Sequence, residues 1–182
     1  MKKLLLAAII FLFAGVATAQ TEVTKFLGIP VDGTKGEVMA KLRAKGFKTS
    51  PSMGSEYLEG VFNGTDVYVT PLTHNNKVYR IAVIYKYAVN EIQIKRAFNN
   101  LCSQFSASSK YEKCKIDQTI TENQNISYEI DFNSKQFEAY FFQRPYDINK
   151  VVWFTIEKYD YDQYRILMFY ENLYNQANGE DL

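Results

Sequence analysis

Apolar positions along the chain switch between a helical period and a strand period. Between Thr34 and Gly46 they fall at Val38, Met39 and Leu42, one face of a short helix. Thr34-x-x-Glu37 fits a capping box, in which Thr caps the helix and Glu reaches back, and Gly46 stops it. Ahead of it, Phe26 to Gly33 reads as a short extended piece ending in a turn. Tyr57 to Phe62 and Val67 to Thr70 then read as strands joined across Asn63-Gly64, a dipeptide that supplies the positive φ angles of a tight hairpin. Pro71 predicts the end of the second strand, Thr73 to Asn76 a turn, and Val78 to Tyr87 a long strand. A second helix starts at the N-cap Asn90, with Ile94, Phe98, Leu101 and Phe105 on one face. After a loop from Ser106 to Lys113, strands are predicted over Ile126 to Phe132 and Gln136 to Phe142, flanking Asn133-Ser134-Lys135. A loop through Pro145 leads to a last strand, Lys150 to Lys158.

Composition alone leaves Tyr164 to Tyr170 open between strand and helix. Laying the chain on itself favours the helix. Lys77-Val78-Tyr79-Arg80-Ile81 matches Lys150-Val151-Val152-Trp153-Phe154, and Lys86-Tyr87 matches Lys158-Tyr159. At that offset Asn90 meets Asp162, Ile94 meets Ile166, Phe98 meets Tyr170 and Leu101 meets Leu173, so residues 163–177 are expected to be helical. The expected fold is α+β, built from tandem helix-plus-three-stranded antiparallel units in the order α-βββ-α-βββ-α, with the helices on one face. The repeats span about 26–89 and 90–177, inside a single globular domain over residues 20–182.

The start of the chain changes the compartment. Lys2 and Lys3 precede an apolar run from Leu4 to Val16, and Ala17-Thr18-Ala19 places small residues at −3 and −1. The pattern predicts a cleavable signal peptide over residues 1–19, cut between Ala19 and Gln20. The run is shorter than the roughly 20 residues a spanning helix needs. No other segment is apolar for long enough, so no membrane span is expected in the mature chain. The expected destination is the periplasm or the exterior. Two of the 21 Lys and Arg lie in that signal, which leaves 19 against 20 Asp and Glu. Such a balance, without a basic run, gives no electrostatic footprint for nucleic acid. In an oxidising compartment Cys102 and Cys114, the only cysteines, are expected to form a disulfide.

Phe26-Leu27-Gly28-Ile29-Pro30-Val31-Asp32-Gly33-Thr34, followed by a helix and Lys45-Gly46-Phe47, resembles a group of secreted proteins of anaerobic gut bacteria. These open with F-x-G-I-P-[IV]-D-G-T, and the strand Lys77 to Val83 is also similar to theirs. The resemblance covers roughly residues 26–87 and implies export, but no activity that transfers to particular residues. More distantly, tandem helix-plus-sheet units behind a signal peptide look like the β-lactamase-inhibitor-protein-like folds of bacterial envelopes. That resemblance implies protein binding, by fold alone.

Candidate chemistry is sparse. His74 is the only histidine, which excludes two-His zinc motifs, and it sits in an expected turn. No Gly-x-Ser-x-Gly elbow displays a serine, no loop has calcium spacing, and no metal or cofactor is implied. Asp160 and Asp162 are the paired carboxylates that would suit a glycan hydrolase, although capping of the predicted helix accounts for both. Asn63-Gly64-Thr65 and Asn125-Ile126-Ser127 read as turn and strand-entry residues. No catalytic residue is nominated.

The 14 Tyr, 13 Phe and one Trp point elsewhere. The expected function is a non-enzymatic binding module with an unidentified protein or glycan partner, contacting it through Tyr146, Tyr159, Tyr161 and Tyr164. The alternatives are a small carboxylate hydrolase and a structural or assembly component.

Overall fold

The structure, a computed structural model, describes residues 22–113 and 118–176. The signal segment with its Ala19–Gln20 junction, and Cys114, lie outside the described residues.

A tight two-stranded ribbon, β1 (Lys25–Phe26) and β2 (Ile29–Pro30), leads into α1 (Lys35–Ala44). The Thr34 capping box is present in full: the Glu37 amide donates to the Thr34 hydroxyl, and the Glu37 carboxylate accepts from the Thr34 amide at 2.8 Å. A meander follows, made of β3 (Lys48–Ser50), β4 (Gly54–Phe62), β5 (Thr65–His74) and β6 (Lys77–Tyr85). Asn63-Gly64 joins β4 to β5 with positive φ at both residues, and Asn75-Asn76 joins β5 to β6 in the same way. Next come α2 (Glu91–Ala107), β7 (Tyr111–Lys113), α3 (Ile126–Asn133), β8 (Glu138–Gln143), β9 (Val151–Asp160) and β10 (Gln163–Glu171). A 3₁₀ turn at Leu173–Asn175 follows them.

Eight strands form one antiparallel sheet in the order β3-β4-β5-β6-β10-β9-β8-β7. Each half of it is a run of four strands, with α1 ahead of one and α2 ahead of the other. The last strands of the two runs, β6 and β10, meet at the centre.

The fold is α+β, yet several expected elements differ. Residues 163–177 are not a helix: Gln163–Glu171 is a central strand. Tyr164, Ile166, Met168 and Tyr170 are buried in alternation, a period of two that places one row of side chains in the core. Asp162, aligned earlier with a helix cap, turns the β9–β10 hairpin at φ 47°. Ile126 to Phe132 is helical rather than extended. Asn125 caps the Tyr128 amide at 2.8 Å, Tyr128 stacks on Phe132 one turn later, and Ser134 ends the helix in the left-handed region. Asn133-Ser134-Lys135 therefore closes a helix, not a hairpin. Strand β5 runs on through Pro71, whose missing N–H costs no bond to β4 because that ladder runs only from Phe62↔Thr65 to Leu58↔Val69. The expected order of three strands per unit gives way to four. The strand matched to β6 by offset, β9, is not the one in the equivalent place; that place belongs to β10.

All three helices lie on one face of the sheet. The apolar face of α2 (Ile94, Phe98, Leu101, Phe105) joins Val38 and Leu42 of α1 and Ile126 of α3 in a single buried cluster. Phe154, under α2, is ringed by Phe98, Phe105 and Phe141 at centroid distances of 5.1, 5.7 and 6.0 Å. Glu91 ties α3 to α2 by accepting from the amides of Ile126 and Ser127 at 3.2 and 3.4 Å. Burial pushes its carboxyl up, but these bonds and that from Lys95 outweigh burial and hold it below its ordinary value. At the other end, Phe26 anchors the ribbon against Phe62 and Tyr170, 5.1 and 4.9 Å away.

Candidate functional site

With the helices gathered on one side, the other side of the sheet is left uncovered by any described helix. Alternation decides what it shows. The residues out of phase with the core row are Arg165, Leu167 and Phe169 on β10, Val151, Trp153, Thr155 and Glu157 on β9, and Glu138, Tyr140 and Phe142 on β8. The register aligns them into rows. Tyr140 pairs with Trp153, Trp153 with Phe169, Phe169 with Ala82 and Ala82 with Thr70, a continuous line across five strands. The aromatic end of that row is a stack. Tyr140 lies nearly parallel to Trp153 at 5.6 Å, and Trp153 meets Phe169 at 4.4 Å. Cross-strand aromatic pairs are the usual stabilising unit of such a surface.

Charge on this face is arranged around the rings. The Arg80 guanidinium sits 4.8 Å from the Phe169 centroid and 5.9 Å from that of Trp153. It also donates to Glu171 Oε1 at 2.7 Å, an oxygen that accepts the Trp153 indole N–H at 2.9 Å. Glu171 is almost wholly buried, and its second oxygen has no hydrogen-bond partner among the described residues. The same grouping of ring, cation and carboxylate recurs twice. Lys86 lies over Tyr68 at 5.4 Å and pairs with Glu59 at 3.1 Å. Arg165 lies over Tyr159 at 4.7 Å and pairs with Glu157. Each cation is thus held between a ring face and an anion, which fixes its long side chain. The phenol of Tyr140 donates to Glu138 at 2.6 Å. Burial, assisted by that carboxylate, pushes its pKa up to about 12.

The four tyrosines nominated from sequence part company. Tyr146 is exposed and packs edge-on against Phe142 at 5.1 Å, on the aromatic face. Tyr159 lies under Arg165 at the other end of that face, and Tyr161 projects from the β9–β10 turn at 89% exposure. Tyr164 is corrected: it is fully buried in the core and cannot contact a partner. Sequence reasoning missed Tyr140, Trp153, Phe169, Arg80 and Glu171. For Trp153 and Phe169 the signal was present, since β9 and β10 carry large apolar residues at both odd and even positions.

Asp160 and Asp162 cap no helix. Asp160 accepts the Tyr161 amide at 2.7 Å within the hairpin turn. His74 ends β5, its Nε2 bonded to the Asn75 side chain at 3.0 Å. Cys102 is buried on α2. Among the described residues no three His, Cys, Asp or Glu gather as a metal site, and no helix is long and apolar enough to cross a membrane. Comparison with protein-family models, with curated proteins and with solved structures finds no match to this chain.

Proposed function

We propose that this is an exported, non-enzymatic binding module that docks a protein partner on the uncovered sheet face. The observation that carries the reading is the Tyr140–Trp153–Phe169 row with Arg80 laid across it. Trp, Tyr and Arg dominate the energetics of protein interfaces, and here they are clustered and held rigid before any partner arrives. The three cations of the face already have carboxylates. The complementary surface is therefore apolar and weakly charged, with loops able to lie flat on a ladder of rings. Export rests on the signal pattern of residues 1–19, and the Cys102–Cys114 disulfide belongs to the same reading. The two helix-plus-four-strand halves support the likeness to β-lactamase-inhibitor-protein-like folds and a shared origin for the halves.

The test is capture of partners from the producing cells by the purified protein, its Trp153→Ala variant and an Ile92→Ala control. Ile92 is an equally apolar, 62% exposed residue on the helix side. Partners should be lost with W153A and retained with I92A. Identical capture by all three would end the proposal, and captured material that resists protease would replace the protein partner with a glycan.

A further inference from the structure

A cleft of about 880 Å³ opens on the helix side, away from the aromatic face. It lies between the β1–β2 ribbon, the β4–β5 turn, the C-terminal end of α2 and the Gln143–Pro145 segment. Its size falls within the range of small-molecule sites, about 300–1,000 Å³. Leu27, Phe62, Phe105 and Tyr170 give it an apolar lining. Lys25, Lys110 and Arg144 are the charged residues that line it, and among the described lining residues there is no Asp or Glu.

The walls are tied together across long stretches of sequence. The Lys25 amide donates to Gln143 Oε1 at 2.7 Å, and Gln143 Nε2 donates back to the Lys25 carbonyl at 2.8 Å. Asn63 Nδ2 donates to Gln104 Oε1 at 2.6 Å, joining the hairpin tip to the end of α2. The Arg144 amide donates to the Lys110 carbonyl at 2.9 Å, and its guanidinium donates to the Tyr111 carbonyl at 3.3 Å. Leu27 opens the two-residue turn of the β1–β2 ribbon. It holds φ 51° next to Gly28 at φ 81°, a left-handed conformation that a leucine adopts rarely and at a cost. The result is a large aliphatic side chain left 40% exposed at the cleft.

Opposing charge is limited. Glu22 pairs with Lys25 at 3.4 Å, with both side chains about half exposed, so solvent screens the pair. The last carbonyls of α2 bring a partial negative charge of roughly one half, against three whole cations.

We propose that this cleft binds an amphipathic carboxylate. Its alkyl body lies along Leu27, Phe62 and Phe105, and its head group lies between Lys110 and Arg144. The site is separate from the aromatic face and does not depend on the function proposed for it. The test uses dodecanoate as probe, with dodecanol and dodecylammonium as its uncharged and cationic counterparts, followed by calorimetry and amide NMR shifts on the purified protein. Dodecanoate should bind at least tenfold more tightly than either counterpart, with shifts centred on Gln104, Lys110 and Gln143. The variant K110Q/R144Q should lose about tenfold in affinity for dodecanoate while leaving dodecanol unchanged. Ser109→Phe, at the exposed rim, should weaken both by obstruction. Trp153, the only tryptophan and on the other face, should keep its emission unchanged. No dodecanoate binding below about 1 mM, equal affinity for the alcohol, an unaffected K110Q/R144Q, or shifts centred on Trp153 would each overturn the assignment.

Discussion

The two faces of the eight-stranded sheet are both rich in aromatic side chains, and they use them in opposite ways. Along β10, Tyr164, Ile166, Met168 and Tyr170 are at most 2% exposed beneath the helices. The intervening Arg165, Leu167 and Phe169 are half-buried on the other side. Core rings meet other rings at varied tilts, as at Phe26, Phe105 and Phe154. Open-face rings stack in a row, as at Tyr140, Trp153 and Phe169, and several of them also meet cations that in turn meet carboxylates. Burial alone is thus a poor guide to what an aromatic residue does: a ring enclosed among rings beneath the helices holds the fold, whereas a ring stacked on the open face beside a paired cation offers a rigid surface.

Consecutive residues on β9 give the sharpest division of the two roles. Phe154→Ala, on the core side, should cost about 3–5 kcal/mol in urea unfolding, because it leaves a cavity among Phe98, Phe105 and Phe141. Trp153→Ala should cost clearly less and keep the same unfolding slope, since its place is only half-buried and water can enter the space it leaves. Equal losses would erase the distinction between the faces.

The ion pairs of the open face should not be equivalent either. Arg80→Leu leaves the nearly buried Glu171 without its cation and should destabilise by about 2–3 kcal/mol. Lys86→Leu, whose partner Glu59 is more open to water, should change stability by about 1 kcal/mol or less. Similar values for both would mean that burial of Glu171 carries no weight.

On the core side, Gly60 is required by close approach. A Cβ there would stand 2.7 Å from the Phe47 ring. Gly60→Ala should cost about 1–3 kcal/mol through this overpacking, while Glu59→Ala, its neighbour on the open side, should be felt far less. A tolerated Gly60→Ala would show that the Phe47 ring can move aside.

The smallest effect is the part of the alkaline pH dependence that belongs to the open face. Burial, helped by Glu138, raises the folded-state pKa of Tyr140 to about 12, above the ordinary value of 10.0. Between these values the unfolded chain releases the proton first. The contribution is therefore complete below about pH 10 and is lost as pH climbs towards 12. An absorbance titration should show several late phenols, Tyr140 alongside the half-buried Tyr85 and the buried Tyr170, and Tyr140→Phe should remove one of them and make the alkaline loss of stability shallower. A Tyr140 that ionises with the exposed tyrosines would remove burial and Glu138 as controlling influences.

Local rules made much of the fold legible. The capping box at Thr34, the N-cap Asn90 with the 4-3-4 spacing of α2, and the Asn63-Gly64 hairpin each depend on a few adjacent residues, and each formed where expected. The errors arose where a local signal was outvoted. Strand composition was visible from Tyr164 to Tyr170, but alignment with α2 was given more weight. Ile126 and Ile130, and Tyr128 and Phe132, stand at helical spacing, but their β-branched and aromatic character suggested a strand. At the site, Tyr146 and Tyr159 were legible as exposed aromatics beside turns, whereas Tyr164 was not separable from them by composition.

Sequence by itself determined the α+β class, the starts of α1 and α2, the Asn-Gly turn and the abundance of rings on both parities of the later strands. Only tertiary structure decided that β6 and β10 meet at the centre of one sheet, and so which parity the helices would cover. The reason is physical. A strand with large apolar residues on both sides has two equally plausible cores, and the choice is made by whichever side the distant α1, α2 and α3 come to occupy. The other side keeps its rings at the surface, with Arg80, Lys86 and Arg165 drawn over them.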